Sequence, residues 1–237
     1  MFYKFSFNKD KFYEFIKDLL NLENENIING KEQNAGSEQY GHYIDKAQLY
    51  AKYEDERRNI GVIVIKLKDN KNPANARTLQ RNFIAHLLDF YNLDASLTAI
   101  YSDTDDTWRL SFVKQEIEIE VGKLKTKVSP AKRYSYLFGK DEPNHTAKEQ
   151  LLELLENNTK QYSIEEIEEK FSVEKVTKDF FERYKDNYLK LKEVLENNEE
   201  FVSEATRCDF TSEEFTKKLM GQIVFIYFLQ KKGWLGV

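Results

Sequence analysis

Basic residues are concentrated in one stretch, "VGKLKTKVSPAKRYSYLFGK", which spans residues 121–140 and contains no Asp or Glu. Its basic residues are Lys123, Lys125, Lys127, Lys132, Arg133 and Lys140. Because the first three alternate with other residues, their side chains would share one face of a strand. Such a ribbon can lie along double-stranded DNA, where each phosphate contact releases counterions without reading the base sequence. A solvated edge strand, whose lysines prevent sheet-to-sheet aggregation, explains the same pattern and stays open as an alternative.

A second polar cluster lies in "ANARTLQRNFIAHLLDFYN", whose apolar residues recur at helical spacing. Arg77, Gln80, Arg81 and Asn82 fall in the N-terminal half of the predicted helix. Backbone N–H groups at a helix N-terminus favour a phosphate, so Arg77 and Arg81 are candidate DNA-binding residues. Ion pairing of these arginines with the acidic turns of the chain is the alternative.

Lys66 ends the apolar stretch "VIVIKLK", which predicts a central strand. Metal-dependent nucleases of the PD-(D/E)xK type place a lysine there and an acidic residue two positions earlier, and their carboxylates hold Mg²⁺. In this chain Val64 occupies the acidic position and offers no oxygen ligand. The pattern therefore favours a degenerate nuclease-like core, or an ordinary strand from which Lys66 reaches the surface.

Other chemistry-bearing residues form no recognisable site. Asp103, Asp105 and Asp106 lie in a predicted turn that lacks the glycine and distal glutamate of a calcium-binding loop. The three histidines are isolated, and one cysteine, Cys208, excludes a disulfide framework and fits a reducing compartment. There is no glycine-rich phosphate loop and no nucleophile elbow. We therefore predict no metal site, no complete active site and no cofactor held by this chain itself.

The elements that would position these residues predict an α+β fold, with a mixed β-sheet and flanking helices on one face, followed by a C-terminal helical bundle. The predicted order in residues 1–145 is helix, two strands, helix and three strands, with residues 108–121 as one long or bulged strand paired with "KLKTKVSP". Residues 146–237 are predicted to be helical. Thr146, Ser163 and Thr211 each precede a glutamate by three residues, which is typical of a capping box.

The last predicted helix contains the apolar run "LMGQIVFIYFLQ", which ends before Lys231 and Lys232. This run is about half the length needed to cross a bilayer, so we predict no membrane contact and a cytoplasmic protein. Because apolar residues nearly encircle the helix, we expect a core helix that is buried on several sides, with Trp234 exposed beyond it.

Several stretches together resemble the N-terminal region of large bacterial type IIG-like restriction-modification proteins, which join an N-terminal domain to an adenine-specific DNA methyltransferase. The resemblance runs from about residue 74 to the end and is carried by "ARTLQRNFIAHLL", "DDTWRLSFVK", "SPAKRYSYLFGKDEPNHTAKEQLL", "FSVEKVTKDFFERYKDNYLKLKE" and "FTKKLMGQIVFIYFLQKKGWLGV". It implies a restriction-endonuclease-like core that contacts DNA, and a methyltransferase domain after Val237 that uses S-adenosylmethionine. By position, Lys66 would match the nuclease lysine and Gln80 the helix glutamine that often follows it, whereas Val64 departs from the family pattern.

Three functions follow as hypotheses. The first is a DNA-engaging, nuclease-like domain of a restriction-modification methyltransferase without complete catalysis of its own. The second is an active Mg²⁺-dependent endonuclease. The third is a non-enzymatic domain that packs on the downstream methyltransferase domain, which the acidic excess of residues 149–204 would suit because it repels DNA.

Overall fold

A computed structural model describes residues 6–34, 38–55, 58–115, 117–119, 126–128, 131–140, 142, 144–156, 160–231 and 234–235. The chain divides into two compact units, Met1–Ser172 (unit 1) and Val173–Val237 (unit 2). The division at residue 146 that the sequence suggested falls inside unit 1, because the helices that follow it pack against the same core as the sheet.

Unit 1 consists of a mixed sheet with helices on both faces. Its helices are α1 (Lys9–Leu19), α2 (Glu38–Gly41), α3 (Arg77–Tyr91), α4 (His145–Glu156) and α5 (Ile164–Phe171). Its strands are β1 (Gln33–Asn34), β2 (Ile44–Asp55), β3 (Arg58–Leu67), β4 (Ala95–Tyr101), β5 (Trp108–Lys114), β6 (Ile117–Ile119), β7 (Thr126–Val128) and β8 (Lys132–Phe138). The α+β class and the mixed sheet predicted from the sequence are confirmed.

Six strands form the main sheet in the order β1-β2-β3-β4-β5-β8. Only β3 and β4 run parallel, with α3 as the crossover between them, and the other neighbours are antiparallel. The prediction that residues 108–121 form one strand is wrong. β5 ends at Lys114, and β6 pairs with β7 in a separate two-stranded sheet. The backbone N–H of Gln115 donates to Asp94 O in register with the β4–β5 pairing, which goes no further because the chain before Asp94 leads back into α3.

The sheet has an apolar core on each face, which corrects the expectation of helices on one face only. One core contains Val62, Val64, Leu97 and Phe112 and is covered by α1, α4 and α5. The opposite core contains Ile63, Ile65, Ile100 and Val113 and is covered by α2 and α3. Alternate residues of a strand point to opposite faces, so these two sets of residues make both faces of β3 apolar except near the ends of the strand.

Unit 2 contains α6 (Val173–Glu196), α7 (Glu199–Arg207) and α8 (Ser212–Lys231), and α6 packs against the other two helices. The predicted capping boxes at Ser163 and Thr211 are confirmed by reciprocal hydrogen bonds with Glu166 and Glu214. The box at Thr146 is not formed as predicted, because α4 already begins at His145. None of the described helices is long and apolar enough to cross a bilayer.

The apolar run of α8 is not the buried core helix that the sequence suggested. Residues 221–228 are all exposed, including Ile223, Phe225, Ile226 and Phe228. Trp234 is 71% exposed, as expected. The apolar pattern of a helix indicates that its surface must be buried, but it does not identify the partner surface that buries it.

Candidate functional site

The first turns of α3 and the start of β8 line an open cleft of about 360 Å³ at the surface of unit 1, which we call the arginine cleft. It is lined by Arg77, Thr78, Arg81, Ala131, Lys132 and Arg133. The fold therefore brings together two basic clusters that lie about fifty residues apart in the sequence. It does so because α3 crosses the sheet face that β5 and β8 share.

Arg133 reaches this face through its strand register. It lies opposite Val113, whose side chain belongs to the core beneath α3, so Arg133 points to the same side of the sheet. Its Nη1 donates to Gln80 Oε1 at 3.5 Å. Burial lowers the pKa of Arg133, and the charges of Arg77 and Arg81 lower it further.

Arg109 does not line the cleft but lies near it on β5, and it is only 3% exposed. Its Nε donates to Pro73 O at 2.9 Å, its Nη2 to Ala74 O at 3.2 Å and its Nη1 to Ser135 Oγ at 2.7 Å. Burial lowers the pKa of Arg109 to about 10, with smaller contributions from the charges of Arg133 and Arg77. The sequence analysis missed Arg109, although a charge at an inward position of the apolar strand "WRLSFVK" was an available signal.

The turn before α3 leaves the start of that helix without a side-chain cap. Ala76, the N-cap residue, has a left-handed backbone conformation (φ 50°, ψ 40°) and no side-chain acceptor. Gln80, only 1% exposed, holds this turn by donating from Nε2 to Pro73 O at 3.0 Å and to Asn75 O at 2.8 Å. The first-turn N–H groups, with the positive end of the helix dipole, therefore lie beside Arg77 and can receive an anion.

Among the described residues, the arginine cleft lacks the carboxylates that pair with several other basic residues of unit 1. Within the part of the chain that the structure describes, no Asp or Glu oxygen lies within 4.0 Å of the guanidinium nitrogens of Arg77, Arg81, Arg109 or Arg133. By contrast, Arg58 pairs with Asp55 and Glu165, and Lys114 pairs with Glu168. The alternative in which the α3 arginines pair with acidic turns is therefore not found among the described residues.

Lys66 and Gln80, the two candidate catalytic residues, are not brought together. Lys66 shares the face of β3 that Val64 contributes to the core under α1, whereas α3 and Gln80 cover the opposite face. Lys66 Nζ contacts Asp103 Oδ2 at 2.5 Å, and this hydrogen bond raises the pKa of the lysine. Its side chain is 28% exposed, as expected for a lysine that reaches the surface from an ordinary strand.

The residues around Lys66 do not fit Mg²⁺. Val64 is a buried hydrocarbon at the position where a nuclease carries an acid. Among the residues described, no three His, Cys, Asp or Glu side chains are grouped so that they could hold a metal ion. Hard divalent cations require several oxygen ligands, so the described residues give this end of β3 no metal chemistry.

The predicted lysine ribbon is only partly described. Lys123 and Lys125 lie outside the described residues, and Lys127 has a described backbone position in β7, opposite Glu118. Lys132 lies on β8 and lines the arginine cleft. Of the DNA-binding residues proposed from the sequence, Arg77, Arg81, Lys132 and Arg133 are thus placed around one site.

The geometry of the arginine cleft suits an anion that accepts hydrogen bonds from several directions. Three planar guanidinium groups, the Thr78 hydroxyl and the uncapped start of α3 all offer donors. Comparisons of the chain with protein-family models, with curated proteins and with solved structures give no match.

Proposed function

We propose that this chain is the DNA-engaging, nuclease-like domain of a restriction-modification DNA methyltransferase, and that the arginine cleft of unit 1 holds a DNA phosphate. The observation that carries the proposal is the convergence of Arg77, Arg81 and Arg133 on one cleft with no described carboxylate beside them. Guanidinium groups bind phosphate through paired N–H donors, and such contacts position DNA without reading its bases.

DNA is the proposed source of the phosphate because of the resemblance to restriction-modification proteins. In that arrangement a downstream methyltransferase domain would bind S-adenosylmethionine and modify adenine, while unit 1 would hold the duplex. Cleavage is not part of the proposal, because Lys66 and Gln80 lie on opposite sheet faces and the described residues near Lys66 do not fit Mg²⁺.

Binding of a fluorescent 20-base-pair duplex, measured by anisotropy over a range of salt concentrations, tests this function. The informative variant carries Arg77→Gln, Arg81→Gln and Arg133→Gln together. Lys11→Gln, on the exposed surface of α1, removes one charge outside the cleft and serves as the control. We expect wild-type binding to weaken steeply with salt and the triple variant to lose at least about tenfold in affinity at low salt. Equal affinities of the wild type and the triple variant would refute the proposal.

The exposed surface of α8 supports a second function for unit 2, namely docking on a protein partner. Ile223, Phe225, Ile226 and Phe228 are more than 45% exposed and adjacent along one helix, and contiguous apolar surface of this kind marks interaction sites. We propose the downstream methyltransferase domain as this partner. Calorimetry with that domain expressed separately should show association that Phe225→Ser and Phe228→Ser weaken, and association unaffected by both changes would contradict this role.

A further inference from the structure

We infer that the arginine cleft prefers a phosphomonoester dianion, such as the 5′-phosphate at a DNA end, over the singly charged phosphodiester within a strand. This inference rests on the proposed function and specifies which DNA phosphate the cleft takes. It follows from the number of charges, the number of donors and the limited extent of the site.

The number of positive charges exceeds what one phosphodiester can neutralise. Arg77, Arg81 and Arg133 line the cleft, and the buried Arg109 is close enough for its charge to interact with those of Arg133 and Arg77. These groups repel one another: burial is the main cause of the lowered pKa of Arg133 and Arg109, and the charges of the neighbouring arginines lower both further. A phosphodiester contributes one negative charge, whereas a phosphomonoester carries between one and a half and two at neutral pH. The dianion relieves more of this repulsion, which acts most strongly on the partly buried groups.

The hydrogen-bond donors also exceed what a phosphodiester can accept. The cleft presents three guanidinium groups, the Thr78 hydroxyl and the uncapped first turn of α3, and Ala76 supplies no competing acceptor. A phosphodiester has two free oxygens, because the other two carry carbon substituents, whereas a phosphomonoester has three. A terminal phosphate can therefore engage donors from α3 and β8 at the same time.

The described arginines of unit 1 offer a single anion position more readily than a track for a strand. Outside the cleft, Arg58 is paired with Asp55 and Glu165, and three of the lysines are paired with acids: Lys9 and Lys46 with Glu32, and Lys66 with Asp103. Binding along a backbone requires several available cations in a row. In the described part of unit 1, the unpaired arginines are instead grouped around one cleft of about 360 Å³.

The test compares the intact protein's affinity for one 20-base-pair duplex with 5′-phosphate ends and with 5′-hydroxyl ends at 150 mM salt. We expect the phosphorylated duplex to bind at least about tenfold more tightly, and Arg77→Gln to remove most of this preference. Arg77 is exposed, so its replacement does not threaten folding. Arg133→Lys keeps the charge but loses the planar fork, and should also reduce the preference, whereas Lys11→Gln should leave it unchanged.

Competition identifies the source of the dianion. If 5′-AMP displaces the phosphorylated duplex only at concentrations about a hundredfold above the Kd of that duplex, the DNA end is the ligand, as inferred. If 5′-AMP competes equally well, the dianion preference stands but the assignment to a DNA end is overturned. Affinities within about twofold for the two duplexes overturn the inference altogether. In that case closed circular plasmid bound in an arginine-dependent way would still support the proposed function, and failure to bind any DNA would remove both.

Discussion

Replacing Arg133 with glutamine should make unit 1 slightly more stable without anions and markedly less responsive to phosphate. The reason is the repulsion within the arginine cleft. Lowering the pKa of Arg109 from 12.5 to about 10 corresponds to about 3 kcal/mol against its charged form. Burial is the largest cause and the charge of Arg133 the next, so removing Arg133 should return up to about 1 kcal/mol. The lost contact to Gln80 Oε1 is long, at 3.5 Å, and offsets little of this gain.

The response to phosphate should change in the opposite direction. A ligand at one hundred times its Kd stabilises the folded state by about 2.7 kcal/mol, or roughly 5–10 °C for a unit of this size. Losing one charge-assisted hydrogen bond, about 1.5–3 kcal/mol, weakens binding about ten- to a hundredfold. At the same phosphate concentration the stabilisation should then fall to roughly 0.4–1.4 kcal/mol. A variant that gains intrinsic stability and loses ligand-linked stability is expected when a site is strained for binding.

The measurement is thermal unfolding followed by tryptophan fluorescence, with and without phosphate, at an ionic strength matched by chloride. The protein has two tryptophans, the buried Trp108 of unit 1 and the exposed Trp234 of unit 2. Trp234→Phe therefore gives a background in which emission reports unit 1 alone. Lys11→Gln should change neither quantity. If Arg133→Gln is destabilised by more than about 1 kcal/mol and keeps the wild-type response to phosphate, Arg133 is a structural residue and the reasoning is refuted.

Three further changes test neighbouring parts of unit 1. Gln80→Leu removes two hydrogen bonds, to Pro73 O and Asn75 O, and should lower the free energy of unfolding by about 1–3 kcal/mol while weakening duplex affinity, measured by denaturation and anisotropy. Arg58→Gln should cost about 0.2–1 kcal/mol at neutral pH. The hydrogen bond from Arg58 lowers the pKa of Glu165 from 4.5 to about 2, so this stabilisation is present above pH 4.5 and is lost toward pH 2, and urea titrations should show variant and wild type converging there. Lys66→Ala removes the ion pair with Asp103 at the surface and should leave duplex affinity unchanged. A large loss of duplex affinity would instead indicate that Lys66 has a functional role.

Local patterns in the sequence predicted much of the fold, because they depend on neighbouring residues. The alternation and apolar content of β2 and β3, and the helical spacing of α3 and α6, each identify an element of the observed type. The break after Lys114 was not predicted, since strand alternation continues through residues 117–119. The pairing with β4 ends where β4 itself begins, just after α3, and local alternation in residues 108–121 does not show where the partner strand begins.

The candidate site was predictable residue by residue but not as an arrangement. Arg77 and Arg133 were each identified from local charge, yet their convergence depends on β8 pairing with β5 next to the crossover helix. The separation of Lys66 from Gln80 depends equally on topology. Period-two alternation places Lys66 on the face of Val64, but only the packing of α3 on the other face shows that the glutamine lies across the sheet.

The surroundings of Arg109 support the proposal that the cleft binds an anion. A buried cation is usually paired with a carboxylate, whereas Arg109 donates to two backbone carbonyls and a serine hydroxyl, and the charge of Glu142 acts on it less than those of Arg133 and Arg77. Two neutral hydrogen-bonding groups could hold the turn at Pro73 without placing a charge near Arg133. A left-handed alanine at position 76 adds a second local cost at the same place. Both costs would be offset at the proposed anion site, since bound phosphate would turn the mutual repulsion of Arg77, Arg109 and Arg133 into attraction toward a common charge.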